Sequence, residues 1–264
     1  MPRSPALSAA ILLALLAAAP AVAQTAEVKP GLATGHVLDT AGKPLAGAAI
    51  YLEMAAVSGP PRRGKTGASG DYAVPMLAAP LIYRVHAWMP LAYRGKTYCV
   101  RIAPETEADK AEVGAQKGGV RNFHWKLSGP VDTAGLDQPS DGAFYGGTLR
   151  LMLAFEDGGY EASLDLTFTP DGPLIDGSAG EVLTRHVDLK ETVFVYDIPI
   201  GAYTVTATRT LRNGTRGPVR LGPDSSHAQD STSLVFKPHE TSLPCGSATT
   251  DNGVDRAFLT VMSP

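Results

Sequence analysis

Aromatic and basic side chains cluster between positions 84 and 98, and they are the residues of this chain best suited to recognition chemistry. Flat rings stack on the apolar faces of sugars, while charged neighbours hydrogen bond to polar groups. The candidate ligand-binding residues are Arg84, His86, Trp88, Tyr93, Lys96 and Tyr98. Strand alternation puts the first three on one face, and the last three follow closely enough to border it. That face either meets solvent or is a second buried face around the tryptophan.

The histidines lack the spacing of metal ligands. All six are dispersed, and none has another histidine two residues away: His36, His86, His124, His186, His227 and His239. Metal sites that can be recognised from sequence need ligands at characteristic short spacings. The sequence therefore predicts no metal site and no cofactor.

Residues 59–66, GPPRRGKT, match the phosphate-binding pattern G-x-x-x-x-G-K-[ST] letter for letter. That loop binds phosphate only when it follows a parallel strand and opens a helix. Here the segment GASGDYAVP follows, which has the composition of a turn and another strand. We interpret the match as fortuitous and expect Arg62, Arg63 and Lys65 to form a solvated hairpin tip.

The first 23 residues have the features of an export signal. Arg3 precedes the apolar run AILLALLAAA, and Ala21-Val22-Ala23 supplies a small-residue cleavage site. The run is short for a membrane span and no second one follows, so we expect a secreted or periplasmic protein without a transmembrane segment in its mature form. Removing Arg3 lowers Lys and Arg from 23 to 22, against 26 acids, and the resulting charge of −4 argues against nucleic-acid binding.

The chain has two cysteines, Cys99 and Cys245. An even count in an exported protein favours a disulfide, which would tie the two halves of the chain together. Two separately buried thiols are the alternative, because a single pair has no spacing pattern that decides between them.

Short segments of period-2 alternation, separated by turn residues, predict an all-β protein. The alternation is clear at 48–53, 81–88, 149–155 and 203–208, and Gly and Pro supply turns such as Asp39–Pro44. Residues 128–142 are rich in turn formers and poor in apolar residues. We therefore predict two tandem β-sandwich domains, 24–130 and 144–264, joined by a linker over 131–143.

The segment from Gly35 to Ile50 contains the motif G-x-V-x-D-x-x-G-x-P-L-x-G-A-x-I, followed by T-x-x-x-G-x-Y at 66–72. It resembles the carboxypeptidase regulatory-like and transthyretin-like β-sandwich family over residues 32 to about 90, and more weakly at YDIPIGAYTVTA in the second half. The resemblance implies Greek-key sandwiches. Modules of this family serve as stabilising appendages, adhesin stalks, carbohydrate-binding-like domains and enzyme scaffolds.

The segment HVLDTAGKPLAG also resembles the opening of hydroxyisourate hydrolases, which implies a catalytic role for His36. The second histidine motif of that family is H-Y-H-V-P, and here Asp71 and Ala73 stand where its histidines would be. Intradiol dioxygenases share a similar opening, but they hold iron with two tyrosines and two histidines that include an H-x-H pair, which this chain lacks.

From these observations we predict an exported, non-catalytic β-sandwich protein with a binding, adhesion or scaffold role in the cell envelope. The expected partner is an envelope polysaccharide or another envelope protein. The alternative is a small-molecule hydrolase of the hydroxyisourate type that uses His36.

Overall fold

The structure is a computed structural model that describes residues 28–78, 80–131, 142–155, 161–239, 245 and 252–264. Within these ranges the protein consists of β-strands, turns and two short 3-10 helices, Glu107–Lys110 and Ser225–His227. The prediction of an all-β protein is confirmed. The predicted export signal and most of the predicted linker lie outside the described residues. No helix in the described ranges is long and apolar enough to cross a membrane.

The first half of the chain forms its own set of paired strands. They are β1 (Leu32–Leu38), β2 (Ala49–Met54), β3 (Arg62–Lys65), β4 (Asp71–Pro75), β5 (Ile82–Tyr93), β6 (Lys96–Pro104), β7 (Val113–Gly114), β8 (Gly119–Val120) and β9 (Phe123–His124). Their order is β3-β2-β5-β6-β9-β1-β4, with β7 beside β5 and β8 beside β1. The two outermost strands of this order, β3 and β4, approach each other. Gly64 of β3 lies against Val74 of β4.

The second half forms two further sheets. Its strands are β10 (Gly147–Ala154), β11 (Ala162–Pro170), β12 (Leu183–Asp188), β13 (Phe194–Ile198), β14 (Ala202–Leu211), β15 (Arg216–Pro218), β16 (Arg220–Gly222), β17 (Thr232–Val235) and β18 (Ala257–Met262). One sheet has the order β13-β10-β18-β16, and the other has the order β12-β11-β14-β15 with β17 also paired to β14. None of the described strands pairs across the two halves.

Local sequence explains why β1 turns back where it does. The Asp39 carboxylate accepts hydrogen bonds from the backbone N–H groups of Ala41 and Lys43, which closes an Asx-type turn. Gly42 has a φ of 75°, a left-handed conformation that favours glycine. Along β1 the residues alternate between buried and half-buried, as expected for a strand with one face in the core.

The buried apolar residues of the two halves form one continuous cluster. Tyr98 from β6 and Phe236, the residue after β17, are both fully buried in it. The Tyr98 hydroxyl donates a hydrogen bond of 2.7 Å to the carbonyl oxygen of Phe236. The halves have separate sheets, but they share a core where they meet.

The β5–β6 hairpin extends from the first half onto the second. Its tip has positive φ at both central residues, 46° at Arg94 and 75° at Gly95, which is the requirement of a tight type I′ turn. The Tyr93 hydroxyl donates to the Pro173 carbonyl at 2.9 Å, and Arg94 Nη2 donates to the carbonyl of Asp171 at 2.8 Å. The hairpin tip is therefore anchored by polar contacts to the loop after β11.

Cys99 and Cys245 form a disulfide with a Cα–Cα distance of 5.5 Å, so this prediction is confirmed. A second segment of the chain, at Gly253, also passes close to Cys99. Gly253 has a φ of 91°, and a Cβ at this position would lie 1.8 Å from the Cys99 carbonyl oxygen. The disulfide and this close approach fix the C-terminal part of the chain against β6.

The chain on either side of the predicted linker is hydrogen bonded together. The Val131 N–H donates to the Ala143 carbonyl at 2.8 Å. The Gly129 N–H donates to the Asp197 carboxylate at 2.9 Å, so the segment entering the linker is tied to β13 of the second half. These contacts hold both ends of the connection beside the second half of the chain.

We expect loss of the disulfide to destabilise the protein by about 5 kcal/mol, because the bond closes a long loop in the unfolded chain. Urea unfolding of the wild type with and without reductant would measure the difference. The double variant Cys99→Ala/Cys245→Ala is the control, and its midpoint should not respond to reductant. Two alkylatable thiols in the purified, exported wild type would contradict the prediction.

Candidate binding surfaces

The six predicted ligand-binding residues do not share one surface. Strand pairing puts Arg84, His86 and Trp88 on the outer face of the β2–β5–β6 sheet, as predicted from alternation. Tyr93, Lys96 and Tyr98 were expected to border that face, and this expectation is wrong. Tyr93 and Tyr98 lie on the opposite face, where both contact the second half. The run of aromatic and basic residues continues past the hairpin turn, but the predicted ligand-binding residues after the turn lie on the other face of the sheet.

Trp88 is buried, with 2% of its surface exposed, so the solvent-facing interpretation of this position is wrong. It packs in a small cluster with Ala49 and Tyr51 of β2, and the Cys99–Cys245 disulfide covers this cluster. The indole Nε1 is buried and has no hydrogen-bond partner among the described residues. Trp88 therefore serves as packing for the disulfide, which is the alternative that the sequence left open.

His86 lies beside Trp88 and is also largely buried. Its Nε2 is 3.6 Å from the Glu53 carboxylate, which is beyond hydrogen-bond distance. Burial and, to a smaller extent, the positive charges of Arg101 and Arg84 lower the pKa of His86 to about 4. The histidine is therefore neutral at physiological pH.

Arg84 and Lys96 are exposed, but they lie apart on opposite faces of the sheet. Arg84 forms an ion pair with Glu112 at 3.1 Å. The aromatic and basic residues of 84–98 thus divide between packing, an ion pair and the contact with the second half.

His36 lies on the half-buried face of β1 and pairs with a carboxylate. Its Nε2 is 3.0 Å from Glu105 Oε2, and its backbone N–H donates to the Asn122 side chain. Asp71 is the β4 residue in register with it. The partners of His36 in the described part of the chain are therefore acidic or amide groups, whereas a hydroxyisourate-type site would bring a second histidine or an arginine to it.

The phosphate-loop match folds as a hairpin strand. Residues 62–65 form β3, and the turn before β4 follows where a phosphate-binding loop would open a helix. The Thr66 hydroxyl is buried and donates to the Leu45 carbonyl at 2.6 Å. Arg62 and Lys65 are exposed as expected, but they lie on a strand of the hairpin and not at its tip. Within the described ranges, no group of three or more His, Cys, Asp or Glu side chains is arranged to hold a metal ion.

A surface that the sequence did not reveal lies on the outer face of the β13-β10-β18 sheet. Phe194, Arg150 and Phe258 are in register across these three strands, so they form one row on the same face. Tyr196 stacks on Phe194 with ring centroids 5.7 Å apart and planes 16° apart. The guanidinium of Arg256 lies over the same ring, 5.1 Å from its centroid. We call these five residues the aromatic–arginine face.

The aromatic–arginine face is open to solvent at one end. Phe258 is 53% exposed, and Met152, which lies on the same face of β10, is 44% exposed. The signal for this surface in the sequence is faint. Outward positions of β10, β13 and β18 carry large apolar or aromatic residues where a solvated strand usually has polar ones. Only the pairing of strands that are distant in sequence joins these positions into a surface.

A groove of about 840 Å³ adjoins this face between β17 and β18. Its apolar lining includes Pro223, Leu234 and Val235, and its polar lining includes Lys237. Arg256 and Phe258 belong to both the groove and the aromatic–arginine face. The face and the groove therefore form a single continuous surface.

No family model matches this chain, and no curated protein matches it. Among solved structures, the TIE protein of Bacillus anthracis is similar over 88% of this chain and 34% of its own, with 12% identity and a TM-score of 0.35. A streptococcal ancillary pilin is similar over 88% of this chain and 62% of its own, with 13% identity and a TM-score of 0.28. A minor pilin of Streptococcus agalactiae is similar over 88% of this chain and 93% of its own, with 10% identity and a TM-score of 0.26.

This chain thus spans about a third of the length of the Bacillus anthracis protein and less than two thirds of the ancillary pilin. All three TM-scores are below 0.5.

We expect the stability of the protein to fall as the pH decreases from about 6.5 to about 4, in part because of His86. In that window the unfolded chain protonates this histidine and the folded chain does not, so protons favour unfolding. The contribution is about 3 kcal/mol, and it stops growing below the folded-state pKa.

Urea unfolding at a series of pH values, with wild type and His86→Gln, would measure this contribution. The variant should lose stability less steeply between pH 6.5 and 4. Thr97→Ser, a neutral substitution at an exposed position of β6, is the control and should follow the wild type. Parallel pH profiles for wild type and His86→Gln would contradict the assignment.

Proposed function

We propose that this protein is a non-catalytic binding protein that acts outside the cytoplasm as an adhesion or scaffold component of the cell envelope. The observation that carries the proposal is the joint between its halves. The β5–β6 hairpin contacts the second half through Tyr93, Arg94 and Tyr98, and the disulfide fastens the C-terminal part to β6. Such a joint makes one unit from the two halves of the chain, which suits a protein that holds a binding surface in place.

The disulfide supports an extracytoplasmic location, because such bonds persist in oxidising compartments and are rare in the cytosol. It also covers Trp88 and closes a small apolar cluster, so it is part of the packing as well as a crosslink. A protein that depends on this bond needs an export route, and the signal-like first 23 residues supply one.

The export proposal predicts that residues 1–30, fused to an alkaline phosphatase lacking its own signal, direct an active enzyme out of the cytoplasm. Alkaline phosphatase is a suitable reporter because it becomes active only where its disulfides form. The matched control is the same fusion without residues 1–23, which should give cytoplasmic and inactive reporter. Equal activity of the two fusions, or no activity of the first, would count against the location.

A hydrolase that uses His36 is the second candidate, and the hydrogen bond between His36 and Glu105 is the observation that favours it. A carboxylate can orient a histidine for general base catalysis, but hydrolysis at such a site needs further groups within reach of the substrate. We expect no turnover of hydroxyisourate by the purified protein in a spectrophotometric assay. Turnover that is lost in His36→Ala and retained in His124→Ala would establish the hydrolase instead.

A further inference from the structure

We propose that the aromatic–arginine face and its adjoining groove bind an acidic polysaccharide, a chain of sugars that carry carboxylates. The proposal rests on the proposed function, since it names the ligand of a binding protein. It concerns the second half of the chain, whereas the residues suggested by the sequence lie in the first half and are largely used in packing.

The aromatic rings provide the apolar part of such a site. Phe194 and Tyr196 are stacked, and Phe144 lies against Tyr196 with ring centroids 5.7 Å apart. Their mutual packing fixes the rings before any ligand arrives, so little conformational entropy is lost on binding. Phe258 presents the most exposed ring of this surface, with 53% of its area open to solvent. A pyranose ring that covers it would remove apolar area from water on both partners.

The arginines provide the charged part. Arg150 and Arg256 both lie over the Phe194 ring, with their guanidinium carbons 5.6 and 5.1 Å from its centroid. Stacking on a ring holds a guanidinium group in place, so its positive charge stays beside the apolar surface and attracts a carboxylate. Arg150 Nε is buried and has no hydrogen-bond partner among the described residues, which shows that the arginine is held here mainly by packing.

The groove extends the same combination of apolar floor and positive rim. Leu234, Val235 and Phe258 supply apolar surface, while the exposed Lys237 adds a positive charge to that of Arg256. Asp255 also lines the groove, and its carboxylate is 2.8 Å from His239 Nδ1. The volume of about 840 Å³ is on the scale of sites that hold a small ligand, so it suits one or a few sugar units of a longer chain.

An acidic sugar chain suits this surface better than other polyanions do. Nucleic-acid binding relies on a broad basic surface, whereas the whole chain has a net charge of −3. An acidic peptide matches the arginines but has no rigid apolar face of its own for the exposed ring of Phe258. A uronic acid unit has both an apolar ring face and a carboxylate on the same small scaffold.

Isothermal titration of the full mature chain with polygalacturonate, a polymer of uronic acid units, tests the proposal. Wild type should bind polygalacturonate and not the neutral polymer dextran, and binding should weaken as salt rises from 50 to 300 mM. Phe258→Ala and Arg256→Gln should each weaken binding at least tenfold. Circular dichroism and thermal melts of the same samples would establish that both variants are folded.

Arg63→Gln is the matched control, because Arg63 also lies over an aromatic ring, 5.3 Å from the Tyr51 centroid, but on the first half of the chain. It should bind polygalacturonate as the wild type does. Absence of wild-type binding, equal binding of dextran, or unchanged binding by folded Phe258→Ala would overturn the proposal. Equal binding of poly-glutamate would assign the surface to acidic peptides instead. The export experiment uses a different readout, so its outcome and this one are separable.

Discussion

The reach of the β5–β6 hairpin across the boundary between the two halves is the contact on which the rest of the structure depends. One strand, β6, directs Tyr98 into the shared core and the next residue, Cys99, to the opposite face. The two faces of the strand are thus fastened to the second half by different means, a buried hydrogen bond and a covalent bond. Because consecutive side chains of a strand point in opposite directions, these two neighbouring residues fasten both faces of β6 at one place.

This joint determines which polar and aromatic residues are left for recognition. On the first half the outer face of β5 has the composition of a binding surface, but the disulfide covers Trp88, and His86 is too buried to carry a charge. The opposite face near the hairpin tip is occupied by the loop after β11. The outer face of the β13-β10-β18 sheet is covered by none of these contacts, and the ring of Phe258 on this face is accessible.

The sequence predicted the structural features that depend on residues close together in the chain. It missed the features that depend on residues far apart in the chain. Alternation placed Arg84, His86 and Trp88 on one face correctly, and the turn after β1 follows from Asp39 and its neighbours. Whether the face is covered depends on Cys245, which lies far along the chain. The aromatic–arginine face depends in the same way on the parallel pairing of β10 with β18. A residue pattern in the sequence describes one strand at a time, whereas a surface also depends on which strands lie beside it.

The two outer faces show that an arginine over an aromatic ring is not by itself a sign of a binding site. Arg63 lies over Tyr51 in the first half much as Arg256 lies over Phe194 in the second, at nearly equal distances. Tyr51 is 6% exposed and belongs to the cluster under the disulfide, so there the contact covers a packed core. Phe194 shares its face of the sheet with the exposed ring of Phe258, and Arg256 also lines an open groove, so the same contact there holds a charge beside accessible apolar surface. The difference lies in what covers each ring, and that is decided by the joint between the halves.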